Sequence, residues 1–221
     1  MAKRAPEATG FAQATEGEKL FAPTAARNQP AINAVMARIA PQSGKALEIA
    51  SGTGQHIIGF AEMRPDILWQ PTDVAPDRLA SINAYREDSA LENILPAHVL
   101  NATQDGWAET NGPFDLIYLS NLLHLISEIA AKTLISEASA ALNPGGVALI
   151  YGPFMRGGEL SSEGDKDFHA KLTAQDPEIG YKDIQTVIAW ATKMGLHHVK
   201  THQMPANNLA MQLTKPKASV R

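Results

Sequence analysis

The run Glu48-Ile49-Ala50-Ser51-Gly52-Thr53-Gly54 sets one carboxylate and two glycines where a short apolar stretch gives way to a helical one. Gly52 and Gly54 let the backbone turn tightly and approach a ligand with no Cβ in the way. Strand ends that open onto helices are where open α/β folds bind nucleotides, although a plain strand-to-helix turn uses the same residues. Asp73 follows about twenty residues on, at the end of the next strand, where a carboxylate can accept hydrogen bonds from both hydroxyls of a ribose. Its other use would be to cap the helix that Pro76 opens. In this order the two features predict a nucleoside site. A dinucleotide coenzyme needs a third small residue three places after the second glycine. Ile57 stands there and Gly59 is out of register, which disfavours a nicotinamide dehydrogenase.

A second set of side chains lies further along. His124 follows Ser120-Asn121-Leu122-Leu123 at the mouth of a strand. A histidine with an ordinary pKa of about 6.5 suits a general base for an acceptor that must lose a proton. The alternative is a ring that faces the next helix and bonds to backbone. His56 begins a helix beside the glycine loop and either touches a cofactor or caps that helix. Tyr151 and Phe154 end a strand, where aromatic faces could stabilise a cation or wall an acceptor pocket. Phe154 equally suits the core, whereas the polar tip of Tyr151 favours a catalytic place. Arg27 and Asn28 open the first helix, either solvated or within reach of a ligand carboxylate. Asn207 and Asn208 form a turn whose expected place is the pocket rim. His197, His198 and His202 share a predicted strand with no carboxylate at matching spacing, and no metal site is predicted.

The elements that must position these residues follow from periodicity. Ile32, Val35, Met36 and Ile39 fall at helical spacing between Thr24 and Ala40, before Pro41. Strands at Ala46–Ala50, Leu68–Thr72, Leu95–Leu100, Phe114–Ser120 and Val147–Tyr151 then alternate with helices at Ile57–Met63, Pro76–Glu87 and Glu128–Leu142, the last ended by Asn143-Pro144-Gly145-Gly146. That alternation predicts a parallel sheet covered on both faces. After a helix from Ile184 to Met194, the strands Leu196–Gln203 and Leu209–Thr214 are separated only by Met204–Asn208. A parallel crossover needs a dozen residues or more, so the last strand must run antiparallel. The sequence therefore divides into a mobile N-terminal arm over 1–23, a single domain over 24–216 and a tail over 217–221. A polar insertion at about 152–183, helical around Lys166–Gln175, has the size and place of a substrate lid.

Composition bounds the partners. A formal net charge of -4 without a Lys/Arg cluster argues against a nucleic-acid binder and for a small acceptor. No cysteine is present, which excludes disulfides and thiolate chemistry and predicts a cytoplasmic setting. The most apolar stretch, Leu116–Ile126, is interrupted by Ser120, Asn121 and His124 and is about half the length of a membrane span. No membrane partner is expected, and oligomeric state is open.

The antiparallel final strand, joined to a nucleoside motif that lacks the dinucleotide fingerprint, predicts a Rossmann-like class I methyltransferase fold with a seven-stranded, mostly parallel sheet. Arg27-Asn28, Leu47 through His56, Trp69-Gln70-Pro71-Thr72-Asp73, Tyr151-Gly152-Pro153-Phe154 and Met204-Pro205-Ala206-Asn207-Asn208 resemble the methyltransferase-like protein 26 family over nearly all of Thr24–Pro216. The resemblance implies S-adenosylmethionine (AdoMet) as cofactor, with Glu48, Gly52 and Gly54 at its methionine end, Asp73 on its ribose and Ser51 among the cofactor-binding residues. It also implies Asn101 beside the adenine, and Ala102 and Ser120 among the cofactor-binding residues. Many class I methyltransferases carry Asp where Asn101 stands, and Ala50 replaces the first glycine of the general motif. The expected function is methyl transfer to a small molecule at oxygen, nitrogen or sulfur, which requires alignment more than covalent catalysis. A catalytically silent AdoMet-binding scaffold is the competing reading, and an NAD-dependent oxidoreductase is disfavoured by Ile57 and the final hairpin.

Overall fold

The computed structural model describes residues 12–15 and 17–217. Residues 1–11 and 16 of the expected arm, and 218–221 of the expected tail, lie outside the described residues. A short hairpin, β1 (Gln13–Ala14) and β2 (Leu20–Phe21), comes first. Helix α1 (Pro23–Ile39) follows, then β3 (Gly44–Ile49), α2 (Gln55–Met63), β4 (Ile67–Asp73), α3 (Pro76–Ser89) and β5 (His98–Val99). The second half holds β6 (Phe114–Ser120), α4 (Glu128–Ala141), β7 (Leu142–Gly152), α5 (Glu163–Gln175), α6 (Ile184–Lys193), β8 (His197–Gln203) and β9 (Leu209–Thr214).

The main sheet has seven strands in the order β5-β4-β3-β6-β7-β9-β8. β9 alone runs against the others, antiparallel to both β7 and β8. The α/β fold, with its mostly parallel sheet and antiparallel final strand, is the one the sequence predicts. The order reverses between β3 and β6, since the chain leaves β3 towards β4 and β5 and then returns to β6 on its other side. A crevice opens at such a switch point, outside the carboxyl ends of the strands.

Both faces of the sheet are covered, as near-continuous apolar strands require. On one face Ile32, Val35 and Met36 of α1 and Ile57 and Phe60 of α2 pack on Ala46, Trp69, Leu116 and Leu149. On the other, α4 and α6 cover Leu47, Ile49, Ile117 and Leu119. A small separate core joins Leu172, Ile179 and Tyr181 of the insertion to Leu125, Met155 and Phe168. At about 25 cal/mol per Å² of apolar area removed from water, these cores dominate stability.

Three boundaries differ from the sequence expectation. The strand expected over Leu95–Leu100 is reduced to His98–Val99. Trp69 N–H donates to Asn93 O at 2.8 Å and Leu95 N–H to Trp69 O at 2.9 Å, but the next β4 residue on that side, Pro71, has no N–H, and Ala97 N–H donates to Asn83 Oδ1 at 2.9 Å instead of to the ladder. β7 begins at Leu142, not Val147. Leu142 pairs with Phe114, and Gly145 N–H donates to Lys215 O at 2.8 Å, so the residues expected as a turn are held at the sheet margin. In the region around 13–21, where the sequence has no periodicity, Gln13–Ala14 and Leu20–Phe21 pair as the hairpin. It docks through Leu20 N–H to Ser81 Oγ at 2.8 Å and Ala22 N–H to Gln55 Oε1 at 2.7 Å.

Gly54 is set by packing. It caps α2 at φ +90°, and a Cβ there would stand 2.9 Å from Ile82 Cα of α3. Gly54→Ala should therefore destabilise the protein by about 1–3 kcal/mol in urea unfolding, through backbone strain and overpacking together. Unchanged stability would mean that α3 does not press on this turn.

Candidate functional site

The loop after β3 is pinned to the end of β4. Ser51 N–H donates to Thr72 O at 2.8 Å, Thr72 N–H to Ser51 Oγ at 3.2 Å, and Thr72 Oγ1 to Glu48 O at 2.8 Å. Ser51 is thus a brace within the loop. Ala50 takes a left-handed φ of +53°, which a residue with a Cβ rarely adopts, and Gly52 follows at +61°. A Cβ built on Gly52 meets nothing within 4 Å. The turn leaves open space above Gly52, whereas Gly54 faces protein.

Two carboxyl groups flank this turn. Asp73 Oδ2 accepts from Gly52 N–H at 3.0 Å, and Oδ1 accepts from Val74 N–H at 2.8 Å and Ala75 N–H at 3.1 Å. Burial still raises its pKa, against the pull of these N–H groups and of Arg78. Asp73 thereby ties the glycine turn to the residues that lead into α3, whose N-cap, Ala75, has no side-chain cap. Glu48 lies 2% exposed on the α1/α2 face of β3, and its Oε2 has no hydrogen-bond partner. Burial pushes this carboxyl up to about 8, and the neighbouring Asp73 adds to the shift while a hydrogen bond with Ser51 opposes it.

A buried polar network lies next to Glu48. Tyr118, opposite Glu48 in the ladder, faces His56, with its hydroxyl 3.2 Å from Nδ1. His56 Nε2 stands 3.0 Å from Asn28 Oδ1 and 3.3 Å from Ala25 O. Burial lowers the imidazole pKa to about 4, so the ring is neutral. Both contacts of Nε2 are acceptors, which assigns the proton to Nε2 and makes Tyr118 O–H the donor to Nδ1. Asn28 also bonds the hydroxyl of Tyr151, whose pKa burial raises. His56 therefore neither caps α2 nor stands free. It joins α1 to β6, and Asn28 carries the connection on to β7.

The other predicted residues are more scattered. Ser120 pairs with Tyr151 across the carboxyl ends of β6 and β7. Arg27 is exposed, its guanidinium 3.4 Å from Thr24 Oγ1 of its own helix. Asn101 Oδ1 accepts from Thr103 N–H and Oγ1 at 3.1 and 2.7 Å, closing a turn beyond β5, and Ala102 O accepts from Trp107 Nε1 at 3.2 Å. Phe154 is buried in the core beneath α4 and α6. Asn207 takes a left-handed φ of +59° in the β8–β9 turn, and Asn208 Nδ2 donates to Pro205 O at 3.1 Å. Asn207 also donates to Asp165 of α5 at 3.2 Å, so this turn touches the insertion. His124 is 5% exposed and packs edge-on against Phe168 and Tyr181. Burial, helped by the charge of Lys182, brings its pKa down to about 3.

Sequence reasoning missed Tyr118, Lys182 and Asn121. Tyr118 alternates with Leu116 and Ser120, so period two alone places it on the same face as Glu48 once the register is known. Asn121 sits at φ +53° with its N–H on Tyr151 O at 2.9 Å, a strained position at the strand mouth. Among the described residues no group of three or more His, Cys, Asp or Glu is arranged to hold a metal. No helix among them is long and apolar enough to cross a membrane.

This sheet order, with a glycine turn and an acidic residue at successive strand ends, is the α/β fold of AdoMet-dependent methyltransferases. The chain belongs to the family described as "Protein of unknown function (DUF938)", whose model matches residues 19–215. An O-methyltransferase family protein from Burkholderia thailandensis shares the fold with a TM-score of 0.74 at 15% identity, over 86% of this chain and 57% of that one. An O-methyltransferase family 2 protein from Planctomyces limnophilus, solved in complex with apigenin, has a TM-score of 0.74 at 20% identity, over 87% and 58%. Human N-acetylserotonin methyltransferase in complex with SAM has a TM-score of 0.67 at 15% identity, over 86% and 55%. The chain thus spans a little over half the length of these structures, and the likeness is one of fold.

The Glu48 pKa has a consequence for stability. The folded protein keeps a proton that the unfolded chain releases above about pH 4.5, so this group makes stability fall as pH rises from 4.5 to about 8. The slope is roughly 1.4 kcal/mol per pH unit across that window. Glu48→Gln should remove it, giving a melting temperature that exceeds the unsubstituted protein's by a margin growing from pH 5 to pH 8. Parallel pH profiles would contradict the buried, unpaired carboxyl.

Proposed function

We propose that this protein is an AdoMet-dependent methyltransferase acting on a small-molecule acceptor, and that it is a member of the methyltransferase-like protein 26 family, whose motifs its sequence resembles. The observation that carries the reading is the pairing of a buried Glu48 carboxyl, whose Oε2 has no hydrogen-bond partner, with open space over Gly52 at the switch point of the sheet. A buried carboxyl without a partner is unfavourable, and a cationic ligand group placed beside it removes that penalty. The α-ammonium of AdoMet is such a group.

In this reading Glu48 takes the ammonium and Gly52 admits the ligand close to the backbone. Asp73, already oriented by three backbone N–H groups, accepts from the ribose hydroxyls through its remaining lone pairs. Asn101 and Ala102 flank the adenine, with Val74 and Val99, 47% and 67% exposed, as apolar surface on that side. Bound AdoMet supplies an electrophilic methyl group on a sulfonium. Tyr151, held by Asn28 and buried, offers a hydroxyl and an aromatic face towards the crevice and excludes water from it. His124 stays neutral at physiological pH and serves as a hydrogen-bonding group on the acceptor side. The insertion over 152–183 acts as the lid, Asn207 and Asn208 border the acceptor while Phe154 serves the core, and the setting is the cytoplasm.

Two substitutions test this reading. Asp73→Ala should weaken AdoMet by roughly 2–5 kcal/mol in calorimetric titration, the loss of one or two charged hydrogen bonds. Gly52→Ala should lower AdoMet affinity at least tenfold while costing only about 1 kcal/mol of stability, because its methyl group enters open space at a left-handed φ. AdoMet affinity unchanged in both variants would refute the assignment.

A further inference from the structure

Basic groups meet where the insertion rejoins the sheet, on the carboxyl side of β6 and β7. Lys182 directs N–H groups at two backbone carbonyls, Ile126 O at 2.6 Å and Gly180 O at 3.1 Å. An ammonium has three donors, so one N–H is left over. The ion pairs among the described residues are Lys19 with Asp88, Lys132 with Glu128 and Lys166 with Glu163, and none includes Lys182. His124 lies within the field of Lys182, and its ring makes no hydrogen bond among the described residues. The backbone holds the two parts in register: Gly180 N–H donates to His124 O at 2.9 Å, and Met155 N–H to Lys182 O at 3.0 Å, just past the end of β7.

The surroundings suit one kind of ligand. Phe168 and Tyr181 stand edge-on to the His124 ring, with centroids 5.7 and 6.0 Å away, so the walls are aromatic. His169 also feels the Lys182 charge, but its Nδ1 already accepts from Tyr181 N–H at 3.0 Å. The one acid acting on Lys182, Glu128, is paired with Lys132 at 2.5 Å. A half-buried ammonium surrounded by carbonyl dipoles and an unpaired imidazole lacks an anion. We infer that Lys182 and His124 form a binding pair for an oxyanion, and that the acceptor carries an acidic hydroxyl on a planar group, a phenol or enol, held as its anion. The free N–H of Lys182 and one ring N–H of neutral His124 donate to that oxygen. On binding, the acceptor O–H bond breaks, its electron pair stays on oxygen and its proton passes to water. Burial holds the Lys182 pKa down at about 8, and an anion alongside would raise it again. Identifying this ligand as the methyl acceptor rests on the methyltransferase reading; the oxyanion pair itself does not.

The test uses the full chain and 4-nitrophenol, whose phenolate has its own absorption band, at a pH where the free probe is mostly protonated. The protein should develop the phenolate band, bind the phenolate at least tenfold more tightly than neutral 4-nitroanisole, and lose that preference in Lys182→Met, with folding checked by thermal melting. Equal binding of the ether, no phenolate band, or a folded Lys182→Met that keeps the preference would overturn the pair. AdoMet titration, read separately, distinguishes failure of the methyltransferase reading, since loss of AdoMet binding with retained phenolate binding would leave the pair standing.

Discussion

Glu48 carries a buried carboxyl whose Oε2 finds no hydrogen-bond partner, on the strand beside the point where the sheet order reverses. Burying Glu48 without a partner for Oε2 is unfavourable by any account of polar burial. The packing around it nevertheless leaves no alternative: its ladder neighbours are Pro71 on β4 and Tyr118 on β6, and α1 and α2 close the face above. The fold makes room for this group where the strand order reverses, the place where an α/β sheet must leave a crevice. The rest of the site is arranged around that constraint.

The arrangement has two sides of different character. On the β4 side, short backbone hydrogen bonds from Gly52, Val74 and Ala75 hold Asp73, so the turn and the helix start move as one piece. On the β6 and β7 side, side chains make the connections. Tyr118, His56, Asn28 and Tyr151 form a chain whose direction follows from a neutral imidazole between one donor and two acceptors. Burial that drives the His56 pKa down keeps the ring neutral, and the two acceptors at Nε2 then fix its tautomer and orient the Tyr118 hydroxyl. A first helix formed by apolar residues at helical spacing thus becomes part of the site's wall.

Much of this was legible in the sequence because it depends on local signals. The glycine turn, the acid at the next strand end and the five-residue gap before the last strand each follow from spacing, and together they specify the fold class and the antiparallel last strand. What escaped depends on register and on long-range contact. Tyr118 becomes significant only when Glu48 is known to lie opposite it, and Lys182 only when the insertion folds back on Ile126. Ser51 and Gly54 sit in the motif yet brace the loop and admit Ile82, a distinction that spacing cannot draw. The third strand is interrupted because Pro71 on its neighbour lacks an N–H and Ala97 N–H turns to Asn83, both consequences of pairing rather than of the strand's own residues.

The central claim is that Glu48 awaits a cationic ligand, and a proton count tests it most directly. Calorimetric titration of AdoMet at pH 6.5, in buffers of differing ionisation enthalpy, should reveal binding with release of close to one proton per site, as a carboxyl with a pKa of about 8 ionises against the ammonium. The release should vanish in Glu48→Gln. Binding without proton exchange, or no binding of AdoMet, would contradict the account.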